Sequence, residues 1–291
     1  MESWELLAKI TALPLIAGGF AEDLLSGNFS SIFKGQGIEV DEVRHYEPGD
    51  EVRAIDWNVS ARFGTPYVKM YREERDLTVF LVLDRSASMG SAGASPRIPY
   101  EQGILAAALI AFAAEQAGQR VGAVFFDREI SRVFPPRKGR AQVMTILTGA
   151  LRGGAAGGGS SLGAALLGAG RLLKRRSLVV VVSDFFTLNW ERELGVLCRK
   201  HDVIALRVGA PPDEEMPNLG LIPLEDPESG QLLQGAAGFV PFRAAWAGWK
   251  EEQARSWRAV CRRSGAAPLD LSAAEDVPAA LIRFFGRRRR L

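Results

Sequence analysis

From residue 77 onward, apolar positions follow two alternating rhythms. Short continuous apolar runs stop abruptly at polar residues, and longer stretches with helical spacing separate them. The runs are Leu77–Leu83, Arg120–Phe126, Ser177–Val182 and Asp202–Val208, with Pro268–Leu271 as a last short one. Runs of this length, rich in β-branched and aromatic residues, read as strands buried on both faces, as in a parallel sheet. Between them the spacing predicts helices over Tyr100–Gln116, Gly139–Leu151, Leu162–Leu173, Arg243–Arg263 and Glu275–Phe285, and one capped by Asn189 that runs to Arg199. Pro99 suits a first helical turn and Gly118 a helix end. Glu129–Phe134 follows the second strand closely enough to pair with it as a hairpin. Leu221–Leu224 and Gln231–Gln234 flank a turn-rich segment, which predicts a second hairpin near a sheet edge. This βα alternation predicts an α/β fold: a doubly wound, mostly parallel sheet with helices on both faces.

The first 76 residues lack this rhythm. Trp4–Leu25 reads as a helix interrupted at Pro14 and Gly18, and the stretch from Phe33 to Arg75 is polar, charged and β-leaning. The expected organisation is a small N-terminal subdomain, 1–76, appended to a main domain, 77–291.

Composition narrows the class. A chain of 291 residues with 47% hydrophobic content can bury a sizeable core, which argues against disorder. The net charge of +2 selects no partner by itself. The basic run Arg287–Arg290 reads as a solvated tail; no aromatic stacking pattern accompanies it, so no nucleic acid is expected. Cys198 and Cys261 sit in no CxxC or Cys/His cluster and read as ordinary buried or half-buried thiols. No window approaches the roughly 20 apolar residues of a membrane span, and no signal peptide opens the chain, so the expectation is cytoplasmic.

Chemistry concentrates where strands end. Asp84 closes the first strand, with hydroxyls at Ser86 and Ser88. A Gly-rich stretch, Gly153–Gly159, leads to Ser160 and Ser161, and Asp184 closes a later strand. In a parallel sheet these segments share the carboxyl edge, where open α/β sheets place their ligands. Asp84, Ser86, Ser88, Ser160 and Asp184 offer three hydroxyls and two carboxylates. That is an oxygen set suited to Mg²⁺, with Mn²⁺ or Ca²⁺ as alternatives. A position left open by the protein would accept a carboxylate from a partner. The plainer reading is that Asp84 satisfies loop amides and the serines cap turns.

The D-x-S-x-S spacing resembles the metal-ion-dependent adhesion site of von Willebrand factor A domains. The resemblance extends further. FKGQGIEVDEVRHYEPGDEVRAIDWNVSAR, PYVKMYREERDLTVFLVLDRSASM, RVGAVFFD, PPRKGR, LLKRRSLVVVVSDFF, HDVIALRV and LIRFFGRRR resemble the domain-of-unknown-function 58 family, which carries a von Willebrand factor A-like domain. The resemblance implies a non-enzymatic adaptor that works with a MoxR-type AAA+ ATPase on a client bearing an acidic group. Two positions depart from the family pattern. Ser160 stands where Thr is usual, losing the methyl that restrains χ1. Ala210 stands where Asp is frequent.

The N-terminal segment alternates in sign. Arg44, Arg53, Asp56, Trp57 and Arg62 are candidate partner-binding residues, with an internal ion-pair network as the plainer reading. The three tryptophans of the Arg243–Arg263 helix, Trp246, Trp249 and Trp257, read as core filler, with a metal-independent docking face as the alternative. Catalytic candidates are few. His45 reads as structural, and His201, just past Lys200, as a cation at a helix end. Neither a nucleophile elbow nor a P-loop occurs. The remaining enzyme reading, Asp84 as nucleophile in Mg²⁺-dependent phosphoryl transfer, lacks a second acid at Ser86.

Overall fold

The computed structural model describes residues 38–47, 50, 55–73, 77–90, 98–153, 159–209, 218–225, 231–272 and 274–288. The helix expected over Trp4–Leu25, most of the Gly-rich stretch, Arg53, Ala210 and the end of the basic tail lie outside them. The chain divides into two compact units, Ser30–Asp76 and a larger one that includes Leu77–Leu291.

The larger unit is built on one six-stranded sheet. Its strands are β3 (Thr78–Asp84), β4 (Arg120–Phe126), β5 (Ile130–Arg137), β6 (Leu178–Ser183), β7 (Asp202–Gly209) and β10 (Ala267–Ser272), in the order β10-β7-β6-β3-β4-β5. All neighbours pair in parallel except β4 and β5, the hairpin foreseen from the short spacing between them. β3 and β6 are buried along almost their whole length, which explains why their sequences run apolar without alternation. Antiparallel β8 (Ile222–Glu225) and β9 (Leu232–Gly235) form a separate two-stranded sheet, so the second hairpin does not extend the main one.

Helices cover both faces. The helix α3 (Pro99–Gln116) is apolar nearly all round and lies against β3, β4, β6 and β7. Gly103 makes that approach possible, because a Cβ there would stand 2.7 Å from a Val182 methyl. On the opposite face, α5 (Leu162–Leu172), α6 (Glu191–Cys198) and α7 (Val240–Ser264) share one core cluster. Leu166, Leu194, Trp257 and Cys261 meet Phe80, Val124 and Val181 there. Within it Arg207 stacks on Trp257, 5.0 Å from the ring centre, and pairs with Asp270 through two bonds of 2.9 and 3.0 Å. Arg258 reaches the same carboxylate at 2.8 Å, so a bidentate clamp joins the edge strand to its neighbour and to α7.

Three local expectations change. The α6 helix starts at Glu191, not under an Asn189 cap; Asn189 instead takes a left-handed conformation with φ 61°. Trp257 is core, as expected, but Trp249 is exposed. His201 is buried with both ring nitrogens unpartnered, and burial, aided by Lys200 and Arg176, lowers its pKa. It is held neutral and is no helix-end cation. Because the folded chain binds a proton there less readily than the unfolded chain, stability is full above the ordinary His pKa of about 6.5 and falls as pH drops below it. His201→Leu should flatten that acid limb, measured as the urea midpoint between pH 7 and pH 5.

In the smaller unit, β1 (Ile38–His45) pairs antiparallel with β2 (Tyr67–Glu73), and α1 (Trp57–Phe63) lies between them in sequence. The Asp56 carboxylate caps α1, accepting the Asn58 and Val59 amides at 3.0 and 3.2 Å; Gly64 ends it at φ 72°.

Candidate functional site

Asp84 ends β3 in the middle of the sheet, where strands on both sides carry loops to the same edge. Its carboxylate is 1% exposed and is held from three directions. Oδ1 accepts the Ser86 backbone amide at 2.9 Å, a tight turn of the chain on itself. Oδ2 accepts the Ser160 hydroxyl at 2.9 Å, from the residue that precedes α5 by two, and the Ser183 hydroxyl at 2.6 Å, from the end of β6. The Ser86 and Ser88 hydroxyls lie 3.1 Å apart. Segments separated by 76 and 99 residues therefore converge on one buried carboxylate.

These hydrogen-bond donors are all neutral. Burial raises the Asp84 pKa, and the bonds from Ser183, Ser86 and Ser160 only partly offset it. Arg85, next in the chain, bonds instead to Tyr100, whose phenol burial pushes up to about 12. A carboxylate in this setting gains from any positive charge brought to it.

Of the expected residues, the structure brings Asp84, Ser86, Ser88 and Ser160 together. Asp184 is buried at the same edge, one residue past the neighbour strand, and its Oδ1 accepts the Phe186 amide at 3.0 Å. Ser183 was not singled out from the sequence, yet it makes the shortest bond to Asp84. The signal lies in the register: Leu83 is opposite Val182, so Ser183 is the first residue beyond that pair on β6, facing Asp84. Thr187 was also missed; its hydroxyl donates to the Ser160 carbonyl at 2.8 Å and ties the two loops together.

Between Asp184 and Trp190 the backbone is strained. Phe185 has φ 58°, a left-handed conformation that bulky side chains avoid at a cost of about 1–3 kcal/mol. Its amide donates to the Ser183 hydroxyl at 3.0 Å, and its ring is buried against Trp190 and Trp257.

In the smaller unit, Arg44 pairs with Asp50 at 2.6 Å, and Asp50 also accepts the Glu47 amide, which with Arg44 holds its pKa below the usual carboxylate range. Arg44 and Asp56 thus serve the unit's own structure. Trp57 and Arg62 are exposed on α1.

Fold and site together define an α/β domain with a buried carboxylate and converging hydroxyls at the carboxyl edge of its sheet. The profile of the family described as "Protein of unknown function DUF58" matches residues 42–255, and the chain belongs to that family. The uncharacterized protein Rv1480 of Mycobacterium tuberculosis is 33% identical over 294 aligned residues, covering 98% of this chain and 90% of that one. Among solved structures, an aerotolerance-related membrane protein from Bacteroides fragilis aligns with TM-score 0.47 and 14% identity, over 74% of this chain and all of that one. The SpRpn10 VWA domain aligns with TM-score 0.38 and 10% identity, over 71% of this chain and 93% of that one. Among the described residues no helix is long and apolar enough to cross a membrane.

Proposed function

We propose that this chain is a non-enzymatic protein-binding adaptor that holds a divalent cation, Mg²⁺ first, at the Asp84 edge. Asp84, Ser86, Ser88, Ser160 and Asp184 would hold it, and its remaining position would take a carboxylate from a client protein. The observation that carries this reading is the convergence of two distant segments and the adjoining turn on a buried carboxylate whose donors are all neutral. Hard oxygen donors with an unbalanced negative charge are the chemistry of Mg²⁺ or Ca²⁺. Ser160 keeps the oxygen that the family's usual Thr provides. The resemblance to the MoxR-associated type adds the partner, a MoxR-type AAA+ ATPase that acts on the client.

The phosphoryl-transfer reading is weaker because the second acid it needs is missing: Ser86 stands there, its hydroxyl 3.1 Å from that of Ser88.

Calorimetric titration of metal-free protein with Mg²⁺ should give saturable heat with wild type and none with Asp84→Asn. Capture of a MoxR-type ATPase and client from native extract should be lost on adding chelator. No heat with wild type would falsify the metal site, and chelator-insensitive capture would remove it as the contact.

A further inference from the structure

Beside the Asp84 edge lies an exposed aromatic surface that the cation reading leaves without a role. Phe186 is 53% exposed and stacks on Trp249, itself 44% exposed, with ring centres 6.0 Å apart and planes 21° apart. Trp246 continues the row, 5.2 Å from Trp249. Leu188, two residues beyond Phe186, is 83% exposed. A row of three neighbouring rings with two tryptophans has the composition of an interaction centre.

The same short segment builds this surface and the carboxylate cluster. Ser183 donates to Asp84 and accepts from the Phe185 amide; Asp184 accepts from the Phe186 amide; Thr187 is bonded to the Ser160 carbonyl. The left-handed turn at Phe185 buries that ring and leaves the next one, Phe186, in solvent. The strain is maintained by bonds to the cluster itself, so the position of Phe186 is set by the residues around Asp84.

We propose that Phe186, Trp249 and Trp246 form the apolar half of the client site, and that the client segment presents an Asp or Glu beside a large apolar or aromatic side chain. The acidic half of this specificity rests on the cation reading above. The spacing follows from the loop. Asp184 and Phe186 are two residues apart on one loop, so the client's acidic and apolar residues are expected close together in its sequence. A peptide of either kind alone satisfies one half of the site.

The test is a phage-displayed random peptide library panned on the full chain in Mg²⁺, using wild type and the double variant Phe186→Ser, Trp249→Ser. Both substitutions are on exposed side chains, and circular dichroism melting checks that the variant keeps the wild-type fold. Retained peptides are expected to pair an acidic residue with a large apolar one nearby in the sequence. Their affinity for the double variant is expected to fall roughly tenfold or more, while its calorimetric response to Mg²⁺ stays that of wild type. Peptides without the apolar residue, no retained peptides, or equal binding to the double variant overturn the proposal. Absence of Mg²⁺ heat in both proteins overturns the cation reading instead. In that case peptides that bind through Phe186 and Trp249 but carry no acidic residue overturn the acidic half.

Discussion

Trp257→Ala is expected to cost the fold about 3–5 kcal/mol, the range for removing a large aromatic from a packed core. Trp257 is 5% exposed and sits where α7, β7 and the Phe185 turn meet. Its removal leaves a cavity next to Phe185 and strips the ring from under the Arg207 guanidinium, which also clamps Asp270. At about 2–4 °C per kcal/mol for a domain of this size, the melting temperature should fall by roughly 10 °C. The check is urea unfolding, with a lower midpoint at unchanged slope. Trp257→Phe should be much milder, because the indole Nε1 is buried without a hydrogen-bond partner and little is lost with it. Trp249→Ala, two turns away on the same helix but exposed, should leave the midpoint nearly unchanged. A stability loss at Trp249 equal to that at Trp257 would contradict the assignment of one to the core and the other to the surface.

The second large effect is at Asp84. Its folded-state pKa is raised by burial, so the folded chain binds that proton more readily than the unfolded one. The sign follows: in metal-free protein, stability is greatest below the unfolded carboxylate pKa of about 3.9 and is lost as pH rises through the higher folded value. Asp84→Asn removes the ionisation, and its amide can still exchange hydrogen bonds with the Ser160 and Ser183 hydroxyls. The variant should therefore melt above metal-free wild type at pH 7, with the gap closing towards pH 4. Added Mg²⁺ should reverse the order. A ligand at 100 times its Kd adds about 2.7 kcal/mol to the folded state, or roughly 5–10 °C here, and only wild type should respond. Thermal melts of both proteins at pH 4 and pH 7, with Mg²⁺ or chelator, separate the ionisation from the metal effect. A Mg²⁺ shift in Asp84→Asn as large as in wild type would place the ion elsewhere.

The strands were the most legible part of this chain, because each central strand is buried on both faces and must be apolar throughout. β4 is read to the residue, and β3, β6 and β7 to within one. Asn189 was misread for a physical reason. Asn suits both helix caps and left-handed turns, and only the path of the chain from Asp184 to Trp190 chooses between them. The tryptophans of α7 share a helix and a residue type, and which is core depends on what stands opposite. His201 was misread because the residues that bury it come from elsewhere in the chain.

The sequence by itself determined the α/β class, the order of strands and helices, and the placement of Asp84, Ser160 and Asp184 at strand ends or loops. Local pattern suffices for these, since burial period and chain direction are properties of contiguous residues. Only the tertiary structure decided that Ser183 makes the shortest bond to Asp84, that its neighbours leave it without a bonded cation, and that the turn at Phe185 exposes Phe186 to stack on Trp249. Register between strands about a hundred residues apart, desolvation, and which of two adjacent rings is buried depend on residues distant in sequence. They exist only once the sheet has brought those residues together.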